Sequence, residues 1–307
     1  MTNLLRSAFL ALSEQKTLRS FSERSSLGRK LSSRFVAGTQ VADAIAVAQK
    51  INGEGISVTL DALGENVSRP SQAIHASEIY QALLDEIGRL KLDANVSLKL
   101  TQMGMDLPDG VAERIVTQLA QQATAIGSFV RVDMEGSTYT QATIDLVRRI
   151  HSMPGHESIG VVIQSYLRRS ESDIRTLMQE GIRVRLCKGA YQEPAEIAFP
   201  AKSDVDANYL HLAKILLTSG IFHGFASHDE AIIDAIKAFA NEQNIDRSSF
   251  EFQMLYGIRR DLQTALVRDG YRVRVYVPFG EEWYPYFMRR LAERPANVIF
   301  LAKNLIR

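Results

Sequence analysis

The chain has 307 residues, 46% hydrophobic and 23% charged, with a formal net charge of +1. This is the composition of an ordinary globular protein, with no basic excess that calls for nucleic acid. A single cysteine, Cys187, excludes a disulfide framework and fits a reducing compartment, and without clustered Cys or His a structural zinc site is not expected.

Residues 1–48 read as helices ahead of the main fold. Leu4, Leu5, Phe9 and Leu12 recur at helical spacing, Ser26–Arg34 forms a second helix, and Val41–Ile51 a third that ends at Asn52-Gly53. The start, MTNLLRSAFLALSEQ, lacks a small-residue cleavage pattern and reads as an amphipathic helix rather than a signal peptide. Arg19, Arg24, Arg29, Lys30 and Arg34 read as a solvated basic face. No apolar stretch reaches the ~20 residues of a membrane span. A cytoplasmic protein is the expectation.

After Gly55 the rhythm changes. Short β-rich runs cover Ile56–Leu60, Asn95–Leu100, Phe129–Met134, Gly160–Ser165, Arg183–Cys187, Gly224–Ser227, Phe250–Met254 and Arg272–Val277. Between them lie helical patterns: Ser77–Leu92, Gly110–Ala125, Thr140–Ser152, Glu171–Glu180, Asp204–Thr218 and Asp229–Asn241. Gly127, Gly181, Gly220 and Gly270 punctuate the junctions. Strands alternating with helices imply a parallel sheet, and eight such units imply an α/β fold of the (β/α)8 barrel type. A doubly wound open sheet is the alternative, but no GxGxxG follows any strand and no GxxxxGK[ST] loop is present. The expected division is an N-terminal helical segment over 1–48, packed on a barrel over 49–307.

The active site of such a barrel lies at the C-terminal ends of its strands. In chain order that edge carries Asp61 and Glu65, Lys99, Asp133 and Glu135, Gln164, then Arg185, Lys188 and Tyr191, then His228 and Asp229, then Glu251, Gln253 and Tyr256, and finally Tyr276. Each alone has a bland explanation. Lys99 can snorkel to the rim, Asp133 can cap a helix, Gln164 can bond backbone, His228 can be a satisfied core histidine and Cys187 can be packing. Together they describe a polar mouth with cationic content, suited to an anionic ligand.

The last helix adds to this. At 100° per residue, Trp283, Tyr284, Phe287, Met288 and Leu291 share one arc, while Tyr286, Arg289, Arg290 and Glu293 share the opposite one. Charged arcs on a helix are by default solvated faces. Two adjacent guanidinium forks beside a phenol also suit a small carboxylate, with Glu293 spaced to hold either arginine.

The set SLKLTQMG, RVDMEG, VVIQSYLRR, RLCKGAY, ASHD, EFQMLYG and YVPFG…YFMRRLAERPAN resembles the proline dehydrogenase family, from about Leu60 to Asn297 and one motif per strand. The chain is similar to the monofunctional bacterial, FAD-dependent form, with no second catalytic domain after it. The resemblance implies oxidation of L-proline to 1-pyrroline-5-carboxylate by hydride transfer from C5 to flavin N5, with electrons passed to a membrane quinone. Peripheral contact with the inner face of the membrane would follow from such an acceptor. It further implies that Arg289, Arg290 and Lys99 hold the proline carboxylate. Tyr191, Leu255, Tyr276 and Tyr286 would surround the substrate, and Asp133 and Arg185 would be catalytic positions, Arg185 also beside the flavin. Met134, Gln164, Lys188, Gly189, Ala190, Ser227, His228 and Glu293 would contact FAD. Where many relatives have Trp after KGAY this chain has Gln192; where ATH is frequent it reads ASHD; and Tyr256 stands where the family often has His. Rival readings are a Schiff-base aldolase or lyase using Lys99 or Lys188, and a non-catalytic barrel that binds a small acid. A folate reductase among flavin barrels is disfavoured, because the arginine pair suits a small amino acid.

Overall fold

The computed structural model describes residues 33–286 and Met288. The helices expected within 1–32, and the end of the last helix with Arg289, Arg290 and Glu293, lie outside the described residues. Of the helix expected over Ser26–Arg34, only Ser33 and Arg34 are described, and they sit in a turn.

The described chain begins its regular structure with α1 (Val41–Asn52), followed by β1 (Ser57–Ala62), α2 (Pro70–Leu90), β2 (Ala94–Leu98), α3 (Val111–Ala125) and β3 (Val130–Val132). It continues through α4 (Ser137–His151), β4 (Ile159–Gln164), α5 (Ser170–Gln179), β5 (Arg183–Cys187), α6 (Lys202–Leu217), β6 (His223–Ala226), α7 (Glu230–Glu242), β7 (Phe250–Leu255), α8 (Arg260–Arg268) and β8 (Arg272–Phe279). The strands pair in sequence order, all parallel, and β8 pairs back to β1 to close the barrel. The expected (β/α)8 barrel is present, with every strand within two residues of its expected ends. α1 runs continuously across positions 48 and 49.

The helix α8 was not expected. It is short, it starts from Arg259 in the left-handed region (φ 51°), and of its residues only Gln263 and Leu266 are buried. That is too thin an apolar stripe to register as a period. α2 starts at Pro70, seven residues before the expected Ser77, because the proline at its first turn is pre-set for helical φ.

Outward-facing strand residues such as Val58, Leu60, Val96, Leu98, Val130 and Val132 are fully buried under the helices. Inward positions are unusually polar. Barrel interiors are generally dominated by bulky branched side chains. Here Thr59 on β1 donates to Asn95 on β2 at 2.6 Å, in the register that sets these residues side by side. Arg131, Arg185, Glu251, Gln253 and Arg274 are likewise buried within the closed strands. Small residues on the even strands make room for them. A Cβ on Gly160 of β4 would lie 2.6 Å from Arg131 Nη1 and 2.3 Å from the Arg183 carbonyl oxygen, and a Cβ on Gly224 of β6 would lie 2.3 Å from Gln253 Nε2.

The Gly160 constraint is purely one of space, and one of its obstacles is backbone that cannot swing away. Gly160→Ala is therefore expected to destabilise the fold by about 1–3 kcal/mol. A urea midpoint lowered at unchanged m-value would show it, and a midpoint equal to wild type would contradict it.

Candidate active site at the barrel mouth

Asp133, just past the end of β3, is the hub of the mouth. Its Oδ1 accepts hydrogen bonds from Arg185 Nη1 at 2.8 Å and from Ser97 Oγ at 2.7 Å, and its Oδ2 accepts from the Tyr276 hydroxyl at 2.7 Å. Three strands, β2, β5 and β8, thereby converge on one carboxylate. The Arg185 guanidinium also lies over the Tyr276 ring, 5.2 Å from its centroid. Burial, together with Asp133 and Asp61, pushes the Tyr276 phenol well above its usual range, so it remains a donor.

Arg185 is held from behind as well. Its Nε donates to Gln253 Oε1, and Gln253 Nε2 donates to Glu251 Oε1 at 2.6 Å. The same Glu251 oxygen accepts from Arg274 Nε at 2.8 Å, and Arg274 Nη1 donates to the Val58 carbonyl at 2.7 Å. This chain of polar contacts locks the guanidinium plane. It leaves Arg185 Nη2 buried and without an acceptor among the described residues. Arg131 Nε shares this state among the described residues, but Arg185 is the one tied to the Asp133–Tyr276 hub, where a bound group or an ordered water can supply the acceptor.

Lys99 follows β2 and forms an ion pair with Asp61 of β1, Nζ to Oδ2 at 3.8 Å. Burial works against its charge, but the carboxylates of Asp61, Asp133 and Glu65, with Tyr191 nearby, outweigh burial and hold the ammonium above its ordinary value. Asp61 is itself buried, and burial together with Asp133 raises its carboxyl against the opposing pull of Lys99.

On the β4–β6 side, several expected residues have protein partners. Gln164 donates through Nε2 to the Glu135 carbonyl at 3.0 Å, and Glu135 is tied to the backbone and hydroxyl of Thr101. Met134 is buried beside them in sequence. Lys188 Nζ lies 2.6 Å from Asp206 Oδ1 and 3.1 Å from Asp229 Oδ2, so two carboxylates compete for the charge that the family resemblance assigns to a cofactor. Ser227 Oγ accepts from the Asp229 amide at 3.1 Å, capping the approach to α7. His228 Nε2 accepts from the Leu255 amide at 2.9 Å, which joins the ends of β6 and β7 and makes the ring neutral at that nitrogen. Gly189 takes φ 107°, and a Cβ there would strike the Tyr166 ring at 2.3 Å, so only glycine turns the chain at this point. Ala190 and Tyr191 follow on an exposed loop, with Tyr191 42% exposed.

The loop that carries them is pinned at two places. Glu193 accepts from the Ser137 amide at 2.7 Å and from its hydroxyl at 2.6 Å, at the start of α4, and Leu167 bridges Ala198. At the other edge Tyr286 is buried in a cluster with Phe35, Val36, Trp283, Tyr284 and Met288. The helical wheel set Tyr286 on the polar arc. The chain before α1 contributes Phe35 and Val36 to this cluster, partners that no wheel of one helix can foresee.

The structure therefore brings together Lys99, Asp133, Arg185 and Tyr276. Sequence reasoning missed Ser97 and Tyr80, and it placed Asp61 at the mouth without a partner. Ser97 stands two residues before Lys99 and so faces the same way on a strand, a signal that was available. Tyr80 reaches in from α2 and donates to the Ser97 carbonyl at 2.8 Å, which no local pattern announces.

The profile of the proline dehydrogenase family matches residues 44–303. Proline dehydrogenase 1 of Bacillus subtilis (strain 168) is 39% identical over 305 residues, covering 99% of this chain and 100% of that protein. Proline dehydrogenase of Deinococcus radiodurans is 39% identical over 280 residues, 90% of each chain. Among solved structures, proline utilization A from Bdellovibrio bacteriovorus, inactivated by N-propargylglycine, superposes with a TM-score of 0.81 at 27% identity, covering 87% of this chain and 33% of that longer one. With the family profile spanning most of the chain and relatives matched along nearly their whole length, this chain belongs to the proline dehydrogenase family of oxidoreductases.

Proposed function

We propose that the protein oxidises L-proline to 1-pyrroline-5-carboxylate with FAD as the resident cofactor. The observation that carries this reading is Arg185 Nη2, a buried cationic donor with no acceptor among the described residues, at the one place where Asp133 and Tyr276 fix the guanidinium. An electron-rich cofactor edge would supply that acceptor, and a cation there stabilises negative charge as it develops. When bound, FAD would take up the hydride that leaves C5, while the amine loses a proton and the C=N bond forms.

The remaining roles are those that the resemblance to the family implies. Lys99 pairs with the substrate carboxylate together with Arg289 and Arg290. Tyr191, Leu255, Tyr276 and Tyr286 pack around the ring and exclude water. Asp133 holds Arg185 and Tyr276 in place. Met134, Gln164, Lys188, Gly189, Ala190, Ser227, His228 and Glu293 contact FAD. In this reading the barrel holds FAD, and a membrane quinone takes the electrons by peripheral contact at the inner face. Among the described residues no helix is long and apolar enough to cross a membrane.

The Schiff-base alternative meets a specific obstacle. A nucleophilic lysine must be neutral. Lys99 is pushed the other way by Asp61, Asp133 and Glu65, and Lys188 is engaged by Asp206 and Asp229. The deciding experiment is the visible spectrum of the purified protein before and after anaerobic L-proline. Flavin bands that bleach are expected. Absence of flavin bands after reconstitution with FAD, or bands that proline leaves unchanged, would overturn the reading.

A charge-assisted hydrogen bond contributes about 1.5–3 kcal/mol, so Lys99→Met should raise the KM for proline by about 10- to 100-fold with flavin content unchanged. Arg290→Met should act in the same direction. A wild-type KM in Lys99→Met would remove that residue from the carboxylate site.

A further inference from the structure

We propose that Asp61 is a positioning residue for Lys99: from the buried side of the mouth, its carboxylate tethers the ammonium that receives the substrate's acid group, while leaving the ammonium's N–H donors to the ligand. The inference rests on the reading that Lys99 meets that acid.

Three features carry it. First, Asp61 is 1% exposed, whereas Lys99 is partly open, so the pair spans from the interior to the mouth. Second, the 3.8 Å separation is an attraction but too long for a hydrogen bond, so Asp61 constrains Nζ without occupying its donors. Third, Asp61 is itself fixed. Gln102 Nε2 donates to the Ala62 carbonyl at 2.8 Å, and Tyr80 accepts from the Ala62 amide at 3.2 Å, stapling the end of β1. The Tyr80 proton goes to the Ser97 carbonyl at 2.8 Å, while Asp61 Oδ1 lies farther off at 3.3 Å. Tyr80 thus braces the strand more than it neutralises the acid.

A buried carboxylate near a second one, Asp133, is unfavourable for folding alone. Such local conflicts gather at functional sites. The charged and titratable groups facing the pair are Asp133, Glu65, Tyr191, Tyr276 and Tyr80, and of the carboxylates Asp61 is the largest favourable influence on Lys99. Without Asp61, burial would weaken the hold of Lys99 on its proton.

The test is Asp61→Asn, which keeps the shape and removes the charge. In the intact, flavin-loaded enzyme, KM for proline should rise about tenfold near neutral pH and climb further with pH, while kcat changes less than threefold. A role confined to folding would give a loss independent of pH, and that result would overturn the proposal. In a Lys99→Met background the tether has nothing to hold, so Asp61→Asn should add less than twofold to KM. A full further loss there would also overturn it. If Asp61→Asn alone does not fold, comparing the double variant, which carries neither charge, with Lys99→Met still decides.

A second readout needs no turnover. Lysines are labelled by reductive 13C-methylation, and the Lys99 resonance is identified by its loss in Lys99→Arg. It should titrate at lower pH in Asp61→Asn than in wild type, and superimposable titrations would sink the tether. Whether L-proline perturbs that resonance in wild type tests separately whether Lys99 meets the substrate.

Discussion

Replacing Asp133 with alanine is expected to lower kcat/KM for proline by more than about 100-fold, the cost of two or more charge-assisted hydrogen bonds at a reacting centre. The reason lies in what the carboxylate organises. Ser97, Arg185 and Tyr276 each place a donor on it, from three different strands. Remove it, and Arg185 keeps Gln253 but loses the partner that balances its charge in a buried setting. A buried ion without its partner is strongly unfavourable, so the guanidinium would shift or draw in water. The Tyr276 hydroxyl would lose its acceptor at the same time, and its ring is the surface over which Arg185 lies.

Asp133→Asn should be milder, about tenfold, because its carbonyl oxygen can still accept from Arg185 and Ser97 while the Tyr276 hydroxyl turns to accept from the new amide. The check is the rate of anaerobic flavin reduction by proline, with circular dichroism and flavin content as controls. A rate for Asp133→Ala within threefold of wild type would remove the hub from the mechanism.

The barrel was legible because eight short β-rich runs alternate with longer helical patterns, and because glycines mark the junctions. The strand-end polar residues were legible because they interrupt apolar runs. What the sequence could not convey is depth. Arg185 and Gln253 were read as residues of the rim, yet they lie inside the closed strands, and their height follows from strand stagger rather than local pattern. Partner choice was equally hidden. Lys188 pairs with Asp206 from α6 and Asp229 from the approach to α7, two elements that meet it only after closure. Asp61 and Asp133 come from β1 and β3, and their mutual influence across the mouth exists only in the folded barrel. Arg289 and Arg290 lie outside the described residues and stay an expectation from sequence.

At the opposite end of the strands, His223 is expected to make the protein acid-sensitive. It begins β6, is 1% exposed, and accepts the Val184 amide hydrogen at Nδ1 at 2.9 Å. Its Nε2–H donates to Ser219 Oγ at 3.0 Å, since that hydroxyl gives its own proton to the Leu216 carbonyl at 2.7 Å. Both nitrogens are thus committed to the neutral tautomer. Burial, followed by the cations Arg131 and Arg183, pushes the ring down to about 3. In the unfolded chain the same imidazole takes a proton near its usual value of about 6.5. Between those two values the unfolded state binds a proton that the folded state refuses, so stability falls as pH drops through that window and levels off below it. The full effect is worth about 5 kcal/mol, comparable to the whole stability of many domains. His223→Gln can still accept from the Val184 amide but does not titrate. Its urea midpoint should start lower than wild type at pH 7 and decline less steeply towards pH 4.5. Carboxylates contribute equally to both proteins, so the difference between the two slopes isolates the histidine, and parallel slopes would show that His223 is not the acid-sensitive group.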